Sequence, residues 1–127
     1  MNLKEYAIEA NRTMSECETP LLDDLHMILG MQTEAAEIAD VYKKNIAYGK
    51  DLDLVNVKEE IGDLMWYIVN LCTLNGWNLE DIMQTNIDKL KARFPEKFTN
   101  ENALNRDLDI ERRILESDYR TPIIEIL

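Results

Sequence analysis

Residues 27–46 read MILGMQTEAAEIADVYKKNI and residues 57–74 read VKEEIGDLMWYIVNLCTL, and the fold turns on how these two stretches wind. At about 100° per residue, the first forms a broad apolar arc from Met27, Ile28, Met31, Ile38, Val41, Tyr42 and Ile46. Glu34 lies inside that arc, and Glu37 lies on its edge beside Gly30 and Val41. The second stretch sets Glu60 between Leu64, Tyr67 and Leu71, with Asp63 on the flank near Leu74. Each acidic pair is three positions apart, so its two carboxylates share a helix face about one turn from each other. Carboxylates therefore interrupt two core-facing stripes at similar height.

Taken singly, either pair reads as solvated helix surface. Their joint placement on the apolar faces of successive helices points elsewhere. Four carboxylates gathered away from water repel one another and stop ionising unless cations neutralise them. An oxygen-only ligand set with open positions suits a hard divalent ion such as Mg2+, which keeps several waters and takes phosphate oxygens.

Outward from this pair, the chain reads as further helices. Leu3 to Met14 is a short amphipathic helix. Thr19-Pro20 starts the helix that carries Glu34 and Glu37, a capping hydroxyl followed by proline at the first helical position, and Gly49 ends it. Asp53 caps the helix of Glu60 and Asp63, which runs to Asn75-Gly76. Gly62 within it costs stability, which a close approach of backbone or ligand, or a helix crossing, would explain. Trp66 points away from the acids by winding and Tyr67 points nearer to them. Asn78 caps a fourth helix from Leu79 to about Phe94, stopped by Pro95.

The fourth helix has an apolar stripe of Leu79, Ile82, Met83, Leu90 and Phe94. Asn86 lies in its middle, Arg93 near it and Lys89 on its edge. These donors form a candidate phosphate clamp; the alternative is that Asn86 satisfies a buried backbone group and Lys89 snorkels outward. The lone His26, and Lys43 and Lys44, are further polar groups near the acidic motif. A last helix from Asn100 to about Glu116 reads as peripheral, and the tail 117–127 ends in the apolar TPIIEIL. With no strand pattern before that tail and no internal repeat, the fold class is all-α. Helices of this length joined by short turns favour an antiparallel bundle, with metal between facing helices. The expected organisation is a single domain over 1–127, with its core over about 20–98.

The formal net charge of -11 argues against nucleic acid as a partner, and an acidic protein handling a polyphosphate must bring metal to it. Cys17 and Cys72 have neither metal-ligand spacing nor the density of a disulfide scaffold, which fits a reducing, cytoplasmic setting. The opening MNLKEYAIEANR lacks a secretory pattern, and the longest apolar run, LMWYIV, is too short to span a bilayer.

In order, EAAE, then EEIGD followed by LMWYIV, then NIDKLKARFPEKF resemble the MazG-like nucleotide pyrophosphohydrolases of the all-α NTP pyrophosphatase superfamily, over about Leu25 to Phe98. The segment ALNRDLDIERRILE resembles the extension of one branch of small members. The resemblance implies Mg2+-dependent hydrolysis of a nucleoside triphosphate to the monophosphate and pyrophosphate, with Mn2+ as a substitute ion. By position it implies that Glu34, Glu37, Glu60 and Asp63 bind metal, and that Asn86 and Lys89 hold phosphate or sugar. Arg93 extends that set, and Glu37 is the expected acceptor of the attacking water's proton. A homodimer or homotetramer is implied as well. Three other readings stay open at this point: a phosphoribosyl-ATP pyrophosphohydrolase-like enzyme, a di-iron carboxylate bundle, and a non-catalytic acidic helical interaction module. The di-iron bundle lacks the Glu-x-x-His pairs it needs.

Overall fold

Asn2 opens the first helix, α1 (Leu3–Arg12), with a reciprocal cap. Its side chain accepts the Glu5 amide at 2.9 Å, while the Glu5 carboxylate accepts the Asn2 amide at 3.1 Å, so two otherwise orphaned donors are satisfied together. The long helix α2 (Pro20–Tyr48) begins at the expected Thr19-Pro20 pair, the Thr19 hydroxyl accepting the Leu22 amide, and it ends at Gly49 in the left-handed region, φ 65°. Asp53 caps α3 (Leu54–Leu74) and Asn78 caps α4 (Leu79–Arg93), both as the sequence predicts.

The structure, a computed structural model, describes residues 1–117; the apolar tail from Asp118 onward lies outside the described residues. Among the described residues every element is helical, in line with the all-α expectation. Two compact units divide the chain, Met1–Asn75 and Gly76 onward.

In the first unit α2 and α3 run antiparallel. As numbers rise along α2 the partners fall along α3: Asp24 accepts from Asn75 at 2.9 Å, Gly30 lies under the Tyr67 ring, and Glu37 faces Glu60. Met27 and Val69 are buried within this unit. Helix α1 lies against α3 through polar grips. The Tyr6 hydroxyl donates to the Gly62 carbonyl at 3.3 Å, the Trp66 indole donates to the Thr13 hydroxyl at 2.9 Å, and the Asn70 amide reaches the Ala10 carbonyl at 3.5 Å.

The second unit corrects two expectations. The single last helix is two, α5 (Asn100–Leu104) and α6 (Leu108–Glu116). Asp107 accounts for the break: its side chain accepts the Ile110 amide and starts a new helix where the old one would have continued. The apolar stripe of α4 is also not its buried face. Ile82, Met83, Asn86 and Ile87 are exposed and Thr85 is buried. The contact with α6 runs instead through Arg93, whose guanidinium is paired with Glu111.

Candidate functional site

Glu34 and Glu37 reach one another because they are one turn apart on α2, and Glu60 joins them because the antiparallel register sets the middle of α3 opposite. One carboxylate oxygen from each of the three lies within 4.8 Å of the others. Their surroundings are graded. Glu60 is 7% exposed, Glu34 is half-buried and Glu37 is exposed, so the cluster runs from the interior to the surface rather than lying wholly inside. Glu34 Oε2 is shut off from solvent and has no hydrogen-bond donor.

The electrostatics follow from this crowding. The facing Glu60 carboxylate, first by its charge, holds the Glu37 carboxyl above its ordinary value. Glu60 is raised by its close contact with Glu34 and then by burial. Asp63 stands outside the three-oxygen group, yet its charge adds to the upward pull on Glu37 and Glu60. It also shares with Glu34 a pocket of about 320 Å³ whose other walls are Trp66 and Tyr67. Like charges this close persist only with a compensating cation or with protons. Three carboxylates, one of them with an unpaired buried oxygen, therefore fit a hard divalent ion by donor chemistry.

Trp66 was expected to point away from the acids, and the structure places it on the pocket wall with them. Trp66 lies about 120° around the helix from Glu60 but is only three residues on from Asp63 and shares its flank. The glycine at a close approach is Gly30, not Gly62. A Cβ on Gly30 would overlap the Tyr67 ring, whereas one on Gly62 would meet open space. The Tyr67 ring is itself flanked edge-on by Trp66 at 4.9 Å and by His26 at 6.1 Å between centroids. Tyr6 and Thr13, which nothing in the N-terminal amphipathic pattern singles out, both touch the pocket-bearing segment of α3. Burial and then the charge of Asp63 push the Tyr6 hydroxyl upward.

The donors expected on α4 belong to the second unit. Asn86 is exposed and Lys89 is half-buried. Arg93 gives its Nε to Glu111 at 2.7 Å, and Arg106 reaches the other oxygen of the same carboxylate at 3.0 Å. Lys44 pairs with Asp40 at 2.7 Å, and Lys43 lies 3.9 Å from it, all at the surface.

With this geometry in view, comparison with known proteins is decisive at the level of family. Residues 23–98 match the MazG nucleotide pyrophosphohydrolase domain, more than half of the chain. The chain belongs to the MazG nucleotide pyrophosphohydrolase family. It is also 36% identical over 76 residues to the Gene 37 protein of Mycobacterium phage L5, an alignment covering 54% of this chain and 63% of that protein. No solved structure matches. The MazG match takes in both acidic motifs and α4, and begins after α1.

Proposed function

We propose that this MazG-family chain is a metal-dependent nucleoside triphosphate pyrophosphohydrolase. It cleaves the α–β phosphoanhydride, releases NMP or dNMP with pyrophosphate, and serves to clear the nucleotide pool in the cytoplasm. One observation carries the reading: a buried, donorless oxygen of Glu34 within a group of three carboxylates. Such an oxygen is tolerable only beside a cation or a proton.

Glu34, Glu37, Glu60 and Asp63 would hold the ion, Mg2+ or Mn2+. When bound, it supplies charge neutralisation at the phosphates and acidifies a coordinated water. Glu37 is the exposed member of the cluster and is made more basic by Glu60, so it is the carboxylate proposed to take the water's proton. Water adds to one phosphorus of the α–β link, and the bond from that phosphorus to the bridging oxygen breaks. The proton moves to Glu37, with no covalent enzyme intermediate. Asn86, Lys89 and Arg93 are proposed as donors to phosphate or sugar oxygens; with Nε and one hydrogen of Nη2 given to Glu111, Arg93 keeps Nη1 and the second hydrogen of Nη2 to offer.

A second copy of the chain belongs to the same reading. Leu21, Leu25, Ile28 and Leu29 on α2 are exposed at the i, i+4, i+7, i+8 spacing of a packing face, which supports a homo-oligomer.

Product analysis over ribo-, deoxyribo- and modified triphosphates with Mg2+ tests the proposal. Equal amounts of monophosphate and pyrophosphate are expected, lost in Glu34→Gln and Asp63→Asn variants that keep wild-type helicity. Orthophosphate as the product, or full activity in both variants, overturns it. If neither Mg2+ nor Mn2+ raises the melting temperature, an acidic interaction module becomes the better account.

A further inference from the structure

The pocket that Glu34 and Asp63 share with Trp66 and Tyr67 is divided in chemistry. Its acidic part answers to a metal-neutralised phosphate chain; its aromatic part has no use for phosphate, which gains nothing from a π-face. The ligand part left for the aromatic wall is flat, weakly polar and joined to the phosphates, which describes a nucleobase. A base stacks on an aromatic face with little regard to its hydrogen-bonding edge.

Of the two rings, Tyr67 is fixed from below by Gly30 and from the sides by His26 and Trp66. Trp66 is fixed by a single directed bond, from its indole Nε1 to the hydroxyl of Thr13 at 2.9 Å. Thr13 is the residue at which α1 ends, and its hydroxyl in turn donates to the Ala10 carbonyl at 2.9 Å. The orientation of the indole is thus set from the N-terminal helix, a part of the chain outside the MazG match at residues 23–98.

We propose that Trp66 is the base-stacking wall of the nucleotide pocket and that Thr13 is its positioning residue. Helix α1 thereby sets how tightly this chain holds a nucleobase. This rests on the reading of the pocket as a nucleotide site. The stacking group is Trp66; Thr13 acts only through it, by holding the indole edge that a buried or half-buried tryptophan needs paired.

The test uses the full chain with Trp77→Phe as background, which leaves Trp66 as the only tryptophan. Titrating in a deoxynucleoside triphosphate with Ca2+ is expected to quench the Trp66 emission, whereas inorganic triphosphate with Ca2+ leaves it unchanged. In steady-state assays with Mg2+, Thr13→Val is expected to raise KM about tenfold and leave kcat within about twofold, the size expected for weakened base stacking. Thr13→Ser, which keeps the hydroxyl, restores the KM and the wild-type emission maximum. Trp66→Phe, which keeps a ring but cannot make the bond, behaves like Thr13→Val.

Equal quenching by inorganic triphosphate, or an unchanged KM in both Thr13→Val and Trp66→Phe, overturns the proposal. So does a Thr13→Val defect that Thr13→Ser does not repair, which would make the hydroxyl irrelevant. Failure of the underlying reading is distinguishable, because the Trp77→Phe parent would then hydrolyse no triphosphate in the panel.

Discussion

At the scale of single residues, two glycines and three carboxylates separate effects that sequence alone merges. Gly30→Ala forces a methyl into the Tyr67 ring, and because His26 and Trp66 flank that ring, the overpacking is expected to cost about 1–3 kcal/mol. Gly62→Ala meets open space and gains about 1 kcal/mol from helix propensity. Urea denaturation of the two variants should move the midpoint in opposite directions. Ionisation also works in two directions. Glu37 and Glu60 are raised from an ordinary 4.5, so the folded, metal-free chain holds protons that the unfolded chain releases, and their contribution to stability is lost as pH rises above about 4.5. Burial tends to raise Glu111, but hydrogen bonds from Arg93 and Arg106 prevail and leave it lowered. Its contribution is present above about 4.5 and lost as pH falls through its folded value. Thermal melts in chelator should show both limbs, with Glu37→Gln flattening the upper one and Glu111→Gln the lower.

Elements were legible in the sequence where a terminus carries its own chemistry. Thr19-Pro20, Gly49, Asp53 and Asn78 each mark a boundary through one side chain or one backbone angle, and each stands where the sequence places it. Glu34 and Glu60 were equally legible as polar exceptions within long apolar stripes, although Ile28, Tyr42 and Ile46 of the α2 stripe are exposed rather than core-facing. Two things were not. Asp107 sits in a charged stretch where an internal cap looks like any other acidic helix residue, so α5 and α6 read as one. On α4 the apolar stripe was taken for the contact face, whereas the contact with α6 uses an ion pair, which periodicity of apolar residues cannot register. Asp107→Ala is expected to cost about 1 kcal/mol and to speed hydrogen exchange at the Ile110 amide that it caps, leaving amides of α2 and α3 unaffected.

At the scale of the whole molecule, few large apolar side chains are fully buried among the described residues, and many are exposed. The proposed homo-oligomer would cover the α2 face of a chain with this balance by another copy. Sedimentation is expected to give an oligomer that Leu25→Glu combined with Leu29→Glu converts to the monomer mass; a monomeric wild type would remove that part of the proposal. The site was readable from the sequence to the extent that it is made of carboxylates at helical spacing. Tyr67 was legible as well, since winding sets it near the acids, but the setting of Trp66 was not, because its indole is held by Thr13 at the end of α1 and nothing local in α1 announces a long-range contact. That helix is attached by three polar grips, one of them from the wholly buried amide of Asn70 on α3, whose Oδ1 has no partner. Attachment of this kind fixes placement better than it resists removal, since directed bonds return little net free energy once water is an alternative. Exchanging the first thirteen residues should therefore change how tightly a base is held while the ion-binding chemistry stays behind with the host.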